Sequence, residues 1–337
     1  RHPSHGMRGR RSRWLPSASD VRGQQLRDDR APGVAHVRVT TRTADAPTTA
    51  DPELRRTPLE AEHVRLGGKL GPFASWLMPI EYGGALAEHR SVRTHVGLFD
   101  LTHLGKVEVA GPGALGMLQR LVTNDLSKAD VGHALYNLVL NAGGGVIEDL
   151  IVYRLGEDRY FVVPNASNAP RVLRMLEEER ADGPVHLMYH QDWCFLAVRD
   201  VLRLEMGYPL YGQDLFEAST AFEAGLGWAV AMDKGEFRGR LALLRQREEG
   251  LPSLLRGLRM HERRHIPRAH YPVFVGDQLV GEVTSGTFSP VLGTGIALAY
   301  VWPGDVVELG QEVEVDIRGR RGAATVVKPP FVDRSPR

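Results

Sequence analysis

An acidic pair lies inside a segment that otherwise has the composition of a buried β-strand, and this segment constrains the fold more than any other. It runs Gly-Gly-Gly-Val-Ile-Glu-Asp-Leu-Ile-Val-Tyr from Gly143 to Tyr153. The β-branched residues favour a strand, and the glycines mark the turn that precedes it. Because side chains alternate along a strand, Asp149 shares one face with Tyr153, whereas Glu148 points to the opposite face.

Both faces of this predicted strand are largely apolar, so at least one of the two carboxylates is expected to be poorly hydrated. An ionised carboxylate in such a place needs a partner, or its pKa rises. Side chains of this kind are candidates for binding or catalysis. The structural alternative is that Glu148 pairs with a surface arginine and Asp149 caps a neighbouring turn.

The overall composition excludes several classes of protein. The 337 residues and the hydrophobic fraction of 42% can supply two or three domains with cores. A formal net charge of +1 gives no indication of nucleic acid or an anionic membrane as a partner. No apolar run approaches the roughly 18 residues of a membrane span. The single cysteine, Cys194, excludes an internal disulfide framework and is expected to be a small core residue.

Residues 1–56 differ from the rest of the chain and are predicted to be a disordered extension. Arginines cluster near the start, and proline, serine, threonine and glycine are scattered without a period. An organellar transit peptide, an untranslated upstream stretch and an RNA-binding tail are the alternatives.

Residues 57–198 are predicted to form an α+β domain with helices on one face of a sheet. The pattern alternates as a strand near 106–109, becomes helical near 115–122, and returns to strands at 134–140, 146–154 and 160–163 before a helix at 170–179. Residues 199–254 are predicted to be mainly helical and linking. Residues 255–337 carry short alternating strands and a Gly-Asp-Gln hairpin signal at 276–278, which indicate a C-terminal antiparallel β-barrel.

Eight motifs in order carry a family resemblance. They are Phe73 to Pro79, Val96 to Gly105, Thr123-Asn124-Asp125, the glycine-rich acidic strand, Ala197 to Glu205, Tyr211 to Asp214, Gly225 to Trp228, and Thr284 to Pro290. In this order they closely resemble aminomethyltransferase, the T-protein of the glycine cleavage system. The similarity extends from about residue 57 to residue 332, which is nearly everything outside the extension.

The resemblance implies a folate-binding domain followed by a β-barrel, and it implies a reaction. The methylene of an aminomethyl group, carried on the lipoyl arm of the H-protein, is transferred to tetrahydrofolate with release of ammonia. Tetrahydrofolate is a substrate here, and the chemistry requires neither a metal nor a flavin. The H-protein and tetrahydrofolate are the implied partners, whereas nucleic acid and membrane are not.

The resemblance also assigns site residues. Asp149 matches the principal active-site acid, whose role is to hold and polarise the reacting pterin nitrogens. Positions lining the folate pocket correspond to Tyr136, Tyr153 and Asn165. Positions near the substrate end correspond to Arg199 and Tyr208.

Each of these residues also has an ordinary structural interpretation. Tyr136 and Tyr153 have the features of half-buried strand residues, and Asn165 those of a helix cap. Arg199 has acidic neighbours with which it can form a surface ion pair.

One departure from the family is large. In the family, one segment opens a second long domain and another segment follows that domain. In this chain the two segments are joined directly, at Phe195 to Asp200, and much of the domain between them is missing. The Tyr-Thr-Gly-Glu motif, whose glutamate grips the pterin in the family, occurs nowhere in the chain. We therefore expect a shortened member in which folate affinity and activity are impaired, since the lost charge-assisted pair contributes a few kcal/mol to binding.

Three alternatives to the transferase remain at this point. One is a demethylase-like relative that acts on another methyl or methylene donor with folate. The second is a degenerate folate-binding regulator without activity. The third is a gene-model or assembly artefact with no function of its own. The expected location is the cytoplasm, with an organellar matrix as the alternative.

Overall fold

The structure is a computed structural model that describes residues 54–180, 184–199, 202–303 and 307–333. Its helices are α1 (Glu60–Arg65), α2 (Ala85–Thr94), α3 (Ala114–Leu121), α4 (Ala169–Glu179) and α5 (Arg240–Glu249). Its first ten strands are β1 (Arg55–Arg56), β2 (Lys69–Phe73), β3 (Trp76–Glu81), β4 (Gly97–Asp100), β5 (Val107–Ala110), β6 (Ala134–Leu140), β7 (Val146–Gly156), β8 (Arg159–Val163), β9 (His186–Tyr189) and β10 (Leu196–Arg199). The remaining six are β11 (Leu254–Met260), β12 (Pro272–Val275), β13 (Gln278–Ser289), β14 (Thr294–Val301), β15 (Glu312–Asp316) and β16 (Arg321–Val327).

A five-stranded antiparallel sheet in the order β6-β7-β8-β5-β9 forms the centre of the first domain. Helices α3 and α4 cover one face of it with buried Leu118, Leu121, Val172 and Leu176. Each of these helices has its apolar side chains at helical spacing, which gives it one face to bury. The predicted α+β arrangement with helices on one side of a sheet is confirmed.

The other face of this sheet presents the side chains that alternate with the core residues. Asp149, Ile151 and Tyr153 lie along β7 on this face, and Ile151 is the register partner of Tyr136 on β6. Tyr153 pairs in register with Phe161 on β8. This face is therefore the one on which the acidic strand meets the predicted folate residues.

Two smaller sheets precede and follow the central one in sequence. The strands β1, β3 and β2 form a three-stranded sheet, and β4 pairs with β10 in an antiparallel ribbon. In the ribbon, Leu98 and Val198 are register partners and are 68% and 72% exposed. A two-stranded ribbon with an uncovered apolar pair is not an independently stable unit.

A closed six-stranded antiparallel barrel in the order β11-β14-β13-β12-β15-β16 forms the C-terminal domain. Its interior is filled by small and β-branched side chains, among them Val283, Ala297, Ala299 and Val315. Closing the sheet on itself removes its free edges. The predicted C-terminal antiparallel barrel is confirmed.

The segment between the two domains is less helical than the sequence predicts. Of the described residues between 202 and 250, only α5 and a short 3₁₀ turn at Gly227–Ala229 are helical, and turns and loops make up the rest. These turns pack buried Leu215, Ala221 and Leu226 against one end of the central sheet. Apolar contact with the sheet holds this segment in place without a regular helix.

Three further expectations concern the N-terminal extension, Cys194 and membrane-spanning helices. Most of the predicted extension, residues 1–53, lies outside the described part, whereas Arg55 and Arg56 form β1 and are not an unstructured tail. The expectation that Cys194 is a core residue is wrong, since its thiol is exposed. No helix in the described ranges is long and apolar enough to cross a membrane.

Candidate active site

The acidic strand begins at a turn that only glycine can form. A Cβ at Gly145 would lie 1.8 Å from the backbone oxygen of Glu217, and the Gly144 backbone has a positive φ of 82°. In the pairing of β7 with β6, Val139 faces Glu148 while Leu140 faces Val146, so Ile147 forms a β-bulge. Bulges of this kind are common beside active sites because they redirect side chains. Here the bulge comes directly before the two acids.

Asp149 lies partly exposed on the open face, and both of its carboxylate oxygens accept a hydrogen bond. The Tyr136 hydroxyl donates to Asp149 Oδ2 over 3.0 Å. The Asn165 amide Nδ2 donates to Asp149 Oδ1 over 3.0 Å. Two donors on two different oxygens fix the plane of the carboxylate and leave lone pairs on each oxygen for a ligand.

Opposing effects act on the pKa of Asp149. Burial raises the pKa of this carboxyl above its ordinary value. The hydrogen bonds from Tyr136 and Asn165 and the positive charge of Arg203 oppose that rise. The same neighbourhood acts on the phenol, because burial and the Asp149 charge raise the pKa of Tyr136 well above its usual range. Tyr136 is therefore a neutral donor, and Asp149 is the acceptor.

Asn165 connects the two acids. It stands two residues after the end of β8, and its amide Nδ2 also donates to Glu148 Oε1 over 2.5 Å. Its backbone N–H donates to the same Glu148 oxygen over 3.1 Å. The sequence suggested that Asn165 both donates to and accepts from a ligand. Its donor group is occupied by the acidic pair, so the carbonyl Oδ1 is the atom suited to a ligand.

Glu148 is the more deeply buried acid of the pair, with 0% of its surface exposed. Burial and the neighbouring Asp149 charge raise the pKa of Glu148 to about 7. Glu148 Oε2 has no hydrogen-bond partner among the described residues. The alternative in which Glu148 pairs with a surface arginine is therefore wrong.

An exposed tryptophan stacks on the tyrosine that binds Asp149, and the sequence did not single it out as a site residue. The Trp228 ring stacks on Tyr136 with 5.4 Å between centroids and 26° between planes, and 68% of Trp228 is exposed. Trp228 appears in the Gly225 to Trp228 motif, and this was the available signal. A large aromatic ring left open beside a carboxylate is typical of a surface that receives a flat ligand.

Tyr153 stands farther along the same strand face. It lies four positions along the strand from Asp149, which is roughly 13 Å. Its ring lies 6.5 Å from that of Phe161, and Phe161 in turn stacks on exposed Trp193. Tyr153 therefore belongs to an aromatic row farther along the strand face than the acidic pair.

Arg199 and Tyr208 were predicted to lie near the substrate end, and the structure describes the two residues to different extents. Arg199 ends β10 opposite Gly97, and its side chain lies outside the described part. Tyr208 is 38% exposed, and its backbone oxygen accepts a hydrogen bond from Arg203 Nη1 over 3.0 Å. Arg203 is the arginine whose charge reaches Asp149, and the sequence did not identify it.

Among the residues that the structure describes, no group of three or more histidine, cysteine or acidic side chains is arranged to hold a metal ion.

Comparison with known proteins adds two domain models. A family model described as the GCVT N-terminal domain matches residues 59–199 and, in a second overlapping segment, residues 192–234. A model described as the glycine cleavage T-protein C-terminal barrel domain matches residues 254–333. The second match coincides with the closed barrel, and the first contains the acidic strand.

Curated relatives and a solved structure are similar over most of their own length. An aminomethyltransferase of Parafrankia sp. (strain EAN1pec) is 39% identical over 366 residues, which cover 85% of this chain and 100% of the relative. The aminomethyltransferase of Mycobacterium tuberculosis (strain ATCC 25618 / H37Rv) is 36% identical over 359 residues, 83% of this chain and 98% of the relative. The crystal structure of glycine cleavage system aminomethyltransferase T from Bartonella henselae superimposes with a TM-score of 0.77 at 27% identity, covering 83% of this chain and 98% of that one.

This chain lacks part of the sequence found in the Parafrankia relative. The 366 aligned positions of the Parafrankia relative exceed the 337 residues of this whole chain, so part of that relative has no counterpart here. The N-terminal domain model matches in two segments that overlap at 192–199, which is where β10 lies.

Proposed function

This chain belongs to the aminomethyltransferase family, the T-proteins of the glycine cleavage system, and we propose that Asp149 is the acid with which it carries out its reaction. Its activity is that of a tetrahydrofolate-dependent aminomethyltransferase. One observation carries the assignment of Asp149. Of the two neighbouring acids, Asp149 is the one that lies on the open face with both oxygens held by side-chain donors, and one of those donors, Tyr136, stacks on the exposed Trp228 ring.

The chemistry uses each element of that arrangement. Two tetrahydrofolate nitrogens form bonds to the methylene carbon, while its bonds to the amino nitrogen and to the lipoyl sulfur break. The hydrogens lost by the folate nitrogens end on ammonia and on the lipoyl thiol. A nitrogen becomes positively charged as it attacks carbon, and an ionised Asp149 stabilises that charge without having to reorient.

The neighbouring residues take supporting roles in this proposal. Tyr136 and Asn165 keep Asp149 ionised and aligned, and Trp228 with Tyr136 forms a flat surface for the pterin. Tyr153 extends the surface toward the aryl tail of the folate. Arg199 and Tyr208 lie toward the substrate end, where a lipoylated H-protein delivers the aminomethyl group. Holding the two substrates in one geometry supplies much of the rate.

Folate binding by this chain is proposed to be weaker than in longer relatives. The Tyr-Thr-Gly-Glu motif is absent from the sequence. In the ribbon of β4 and β10, the exposed Leu98 and Val198 form an apolar surface that the missing segment would cover. A missing charge-assisted pair costs about 1.5–3 kcal/mol of binding. The domain boundaries near residues 198 and 254, with a shortened second domain between them, are part of the same proposal.

One assay tests the assignment of Asp149. Aminomethylated H-protein and tetrahydrofolate are supplied, and ammonia release is measured for the unmodified protein, Asp149→Asn and Asp158→Asn. Asp158 is an exposed acid in the turn between β7 and β8, so its substitution serves as the matched control. Release should fall at least roughly a hundredfold in Asp149→Asn alone, as for loss of a transition-state contact. Equal rates in all three proteins would refute the assignment.

Calorimetric titration of tetrahydrofolate tests the proposed weakness of binding. The Parafrankia aminomethyltransferase, which aligns over its whole length, is the reference protein. We expect a dissociation constant at least roughly tenfold larger for this chain, corresponding to about 1.4 kcal/mol. Equal affinities would mean that the absent motif is compensated here.

A further inference from the structure

Glu148 is a fully buried acid whose two carboxyl oxygens differ in their hydrogen bonding. Its Oε1 accepts from both the backbone N–H and the side-chain amide of Asn165, over 3.1 and 2.5 Å. Its Oε2 is buried and lacks a partner among the described residues. The nearby Asn168 amide donates to the Ile147 backbone oxygen over 2.8 Å. An ionised carboxylate is costly when one of its oxygens is buried without a hydrogen-bond donor, as Oε2 is here. A proton on Oε2 removes the charge.

Asp149 has the opposite surroundings. Each of its oxygens receives a side-chain hydrogen bond, it is partly exposed, and the Arg203 charge favours its ionised form. Two neighbouring carboxyl groups in a poorly hydrated place share one proton more readily than they carry two charges. The donors around Asp149 favour the ionised form of Asp149 and a shared proton on Glu148.

We propose that Glu148 is a positioning residue, which carries a proton on Oε2 and uses Oε1 to hold the Asn165 amide in the orientation that binds Asp149. This inference rests on the proposed role of Asp149 in the transfer reaction. The Asn165 amide reaches Glu148 Oε1, Asp149 Oδ1 and, over 3.1 Å, the Asp149 backbone oxygen, so it connects the two acids. Ionisation of Glu148 would draw the amide toward itself and would place a second negative charge beside Asp149. Both effects would raise the pKa of Asp149 and weaken its function.

Among the described titratable groups near Glu148, Asp149 is the one that carries a charge. Tyr136 on β6 and Tyr211 in the segment before α5 lie within electrostatic reach of Glu148. Burial raises the pKa of both phenols, so both are neutral at physiological pH. Changes in charge between pH 5 and pH 8.5 in this cluster therefore belong to the acidic pair.

The pH dependence has a definite sign. Burial, followed by the Asp149 charge, raises the pKa of Glu148 from 4.5 to about 7, whereas the hydrogen bonds of Asn165 and the proximity of the Asn168 amide oppose the rise. A raised pKa in the folded state means that the folded protein binds the proton more tightly than the unfolded chain does. The stabilising effect is complete below pH 4.5 and is lost as pH rises through about 7.

Unfolding experiments test the proton on Glu148 without requiring activity. Denaturant midpoints are measured from pH 5 to pH 8.5 for the unmodified protein, Glu148→Gln, and the exposed-site control Glu157→Gln. The unmodified protein and the control should lose stability across this range, and Glu148→Gln, which mimics the protonated acid, should lose less. In Asp149→Asn the pH-dependent step should move to lower pH because the neighbouring charge is gone. Parallel curves for the unmodified protein and Glu148→Gln would overturn the proposal.

Turnover measurements test the positioning role. We expect Glu148→Ala to lower the rate of ammonia release roughly tenfold or more, and Glu148→Gln to recover most of that loss. The fall in rate on the alkaline side of about pH 7 should be present in the unmodified protein and absent in Glu148→Gln. An alkaline fall that persists in Glu148→Gln, or equal rates for Ala and Gln, would overturn it. If the unmodified protein releases no ammonia, the proposed function fails, and the unfolding curves still decide whether Glu148 holds the proton.

Discussion

Tyr136 donates its hydroxyl hydrogen to Asp149 across neighbouring strands, although the two residues are not register partners. Tyr136 stands opposite Ile151, and Asp149 stands opposite Leu138. The 3.0 Å bond is therefore a diagonal contact on one face of the sheet. A diagonal contact needs a long side chain, and this explains why a tyrosine on β6 can reach the acid on β7.

The first prediction concerns this bond. Tyr136→Phe removes the donor but keeps the ring that stacks on Trp228. We expect kcat/KM for ammonia release to fall roughly tenfold, since a hydrogen bond to a charged group contributes about 1.5 kcal/mol or more. The bond lowers the pKa of Asp149, so without it the acidic limb of the rate profile should move to higher pH.

The control is Tyr160→Phe on β8. Tyr160 is buried, and its hydroxyl donates only to the Glu157 backbone oxygen, over 3.4 Å. Its rate profile should match that of the unmodified protein. If Tyr136→Phe also kept an unchanged acidic limb, the bond would have no part in holding Asp149 ionised.

The second prediction concerns the exposed ring of Trp228. Trp228→Ala should change the free energy of unfolding by less than about 1 kcal/mol, because most of the side chain is already in water. Tetrahydrofolate affinity should fall by roughly fivefold, because a stacked aromatic contact contributes about 1 kcal/mol. Leu241→Ala on α5, 62% exposed, is the control for removal of surface apolar area. Equal affinities in the two variants would exclude Trp228 from the folate surface.

The third prediction concerns the turn before the acidic strand. Gly145→Ala places a methyl group 1.8 Å from the Glu217 backbone oxygen, so the backbone must shift. We expect a loss of roughly 2 kcal/mol or more in the free energy of unfolding, as for other overpacked sites. Gly143→Ala is the matched control, because its Cβ would meet nothing closer than the Asn141 Oδ1 at 3.4 Å. Equal stability of the two variants in urea titrations would contradict the prediction.

The fourth prediction concerns the acid stability conferred by the Thr123-Asn124-Asp125 motif. Burial alone would raise the pKa of Asp125, but hydrogen bonds from Ser127 and Gln119 outweigh it and lower the pKa to about 2. A lowered pKa stabilises the folded state above pH 3.8, and this contribution is lost as pH falls through about 2. Asp125→Asn should therefore cost about 1 kcal/mol at neutral pH, and this cost should shrink as pH falls toward about 2.

Urea midpoints between pH 2 and pH 7 measure this difference. Asp130→Asn, at an exposed position on the same connection, should show the acid dependence of the unmodified protein. A constant gap between Asp125→Asn and the unmodified protein at every pH would show that the charge of Asp125 is not what stabilises this turn.

Much of the secondary structure could be predicted from local patterns. The spacing of Leu118 and Leu121 in α3, and that of Val172 and Leu176 in α4, reflects the single face that each helix buries. Alternation identified the barrel strand of Val313 and Val315, both of which point into the barrel core. Where local pattern and burial coincide, the prediction is confirmed.

The failures occur where burial depends on distant partners. Cys194 sits beside two aromatic residues, which indicated a core position, but the Trp193 ring stacks outward on His190 with 3.7 Å between centroids. The segment after β10 was predicted to be mainly helical, yet Leu215 and Ala221 are buried in turns. These turns are held by the sheet they cover, and a local pattern contains no information about that sheet.

By itself, the sequence determined that a strand carries two adjacent acids on opposite faces, because side-chain alternation is a property of the local backbone. It also determined the α+β domain, the barrel and, through its motifs, the family. Only the tertiary structure decided which acid keeps the charge. Asp149 receives its donors from β6 and from the residue that follows Pro164, whereas Glu148 Oε2 is buried and has no donor among the described residues. Those partners lie 13 and 16 residues from Asp149 in the chain, and folding brings them to hydrogen-bond distance.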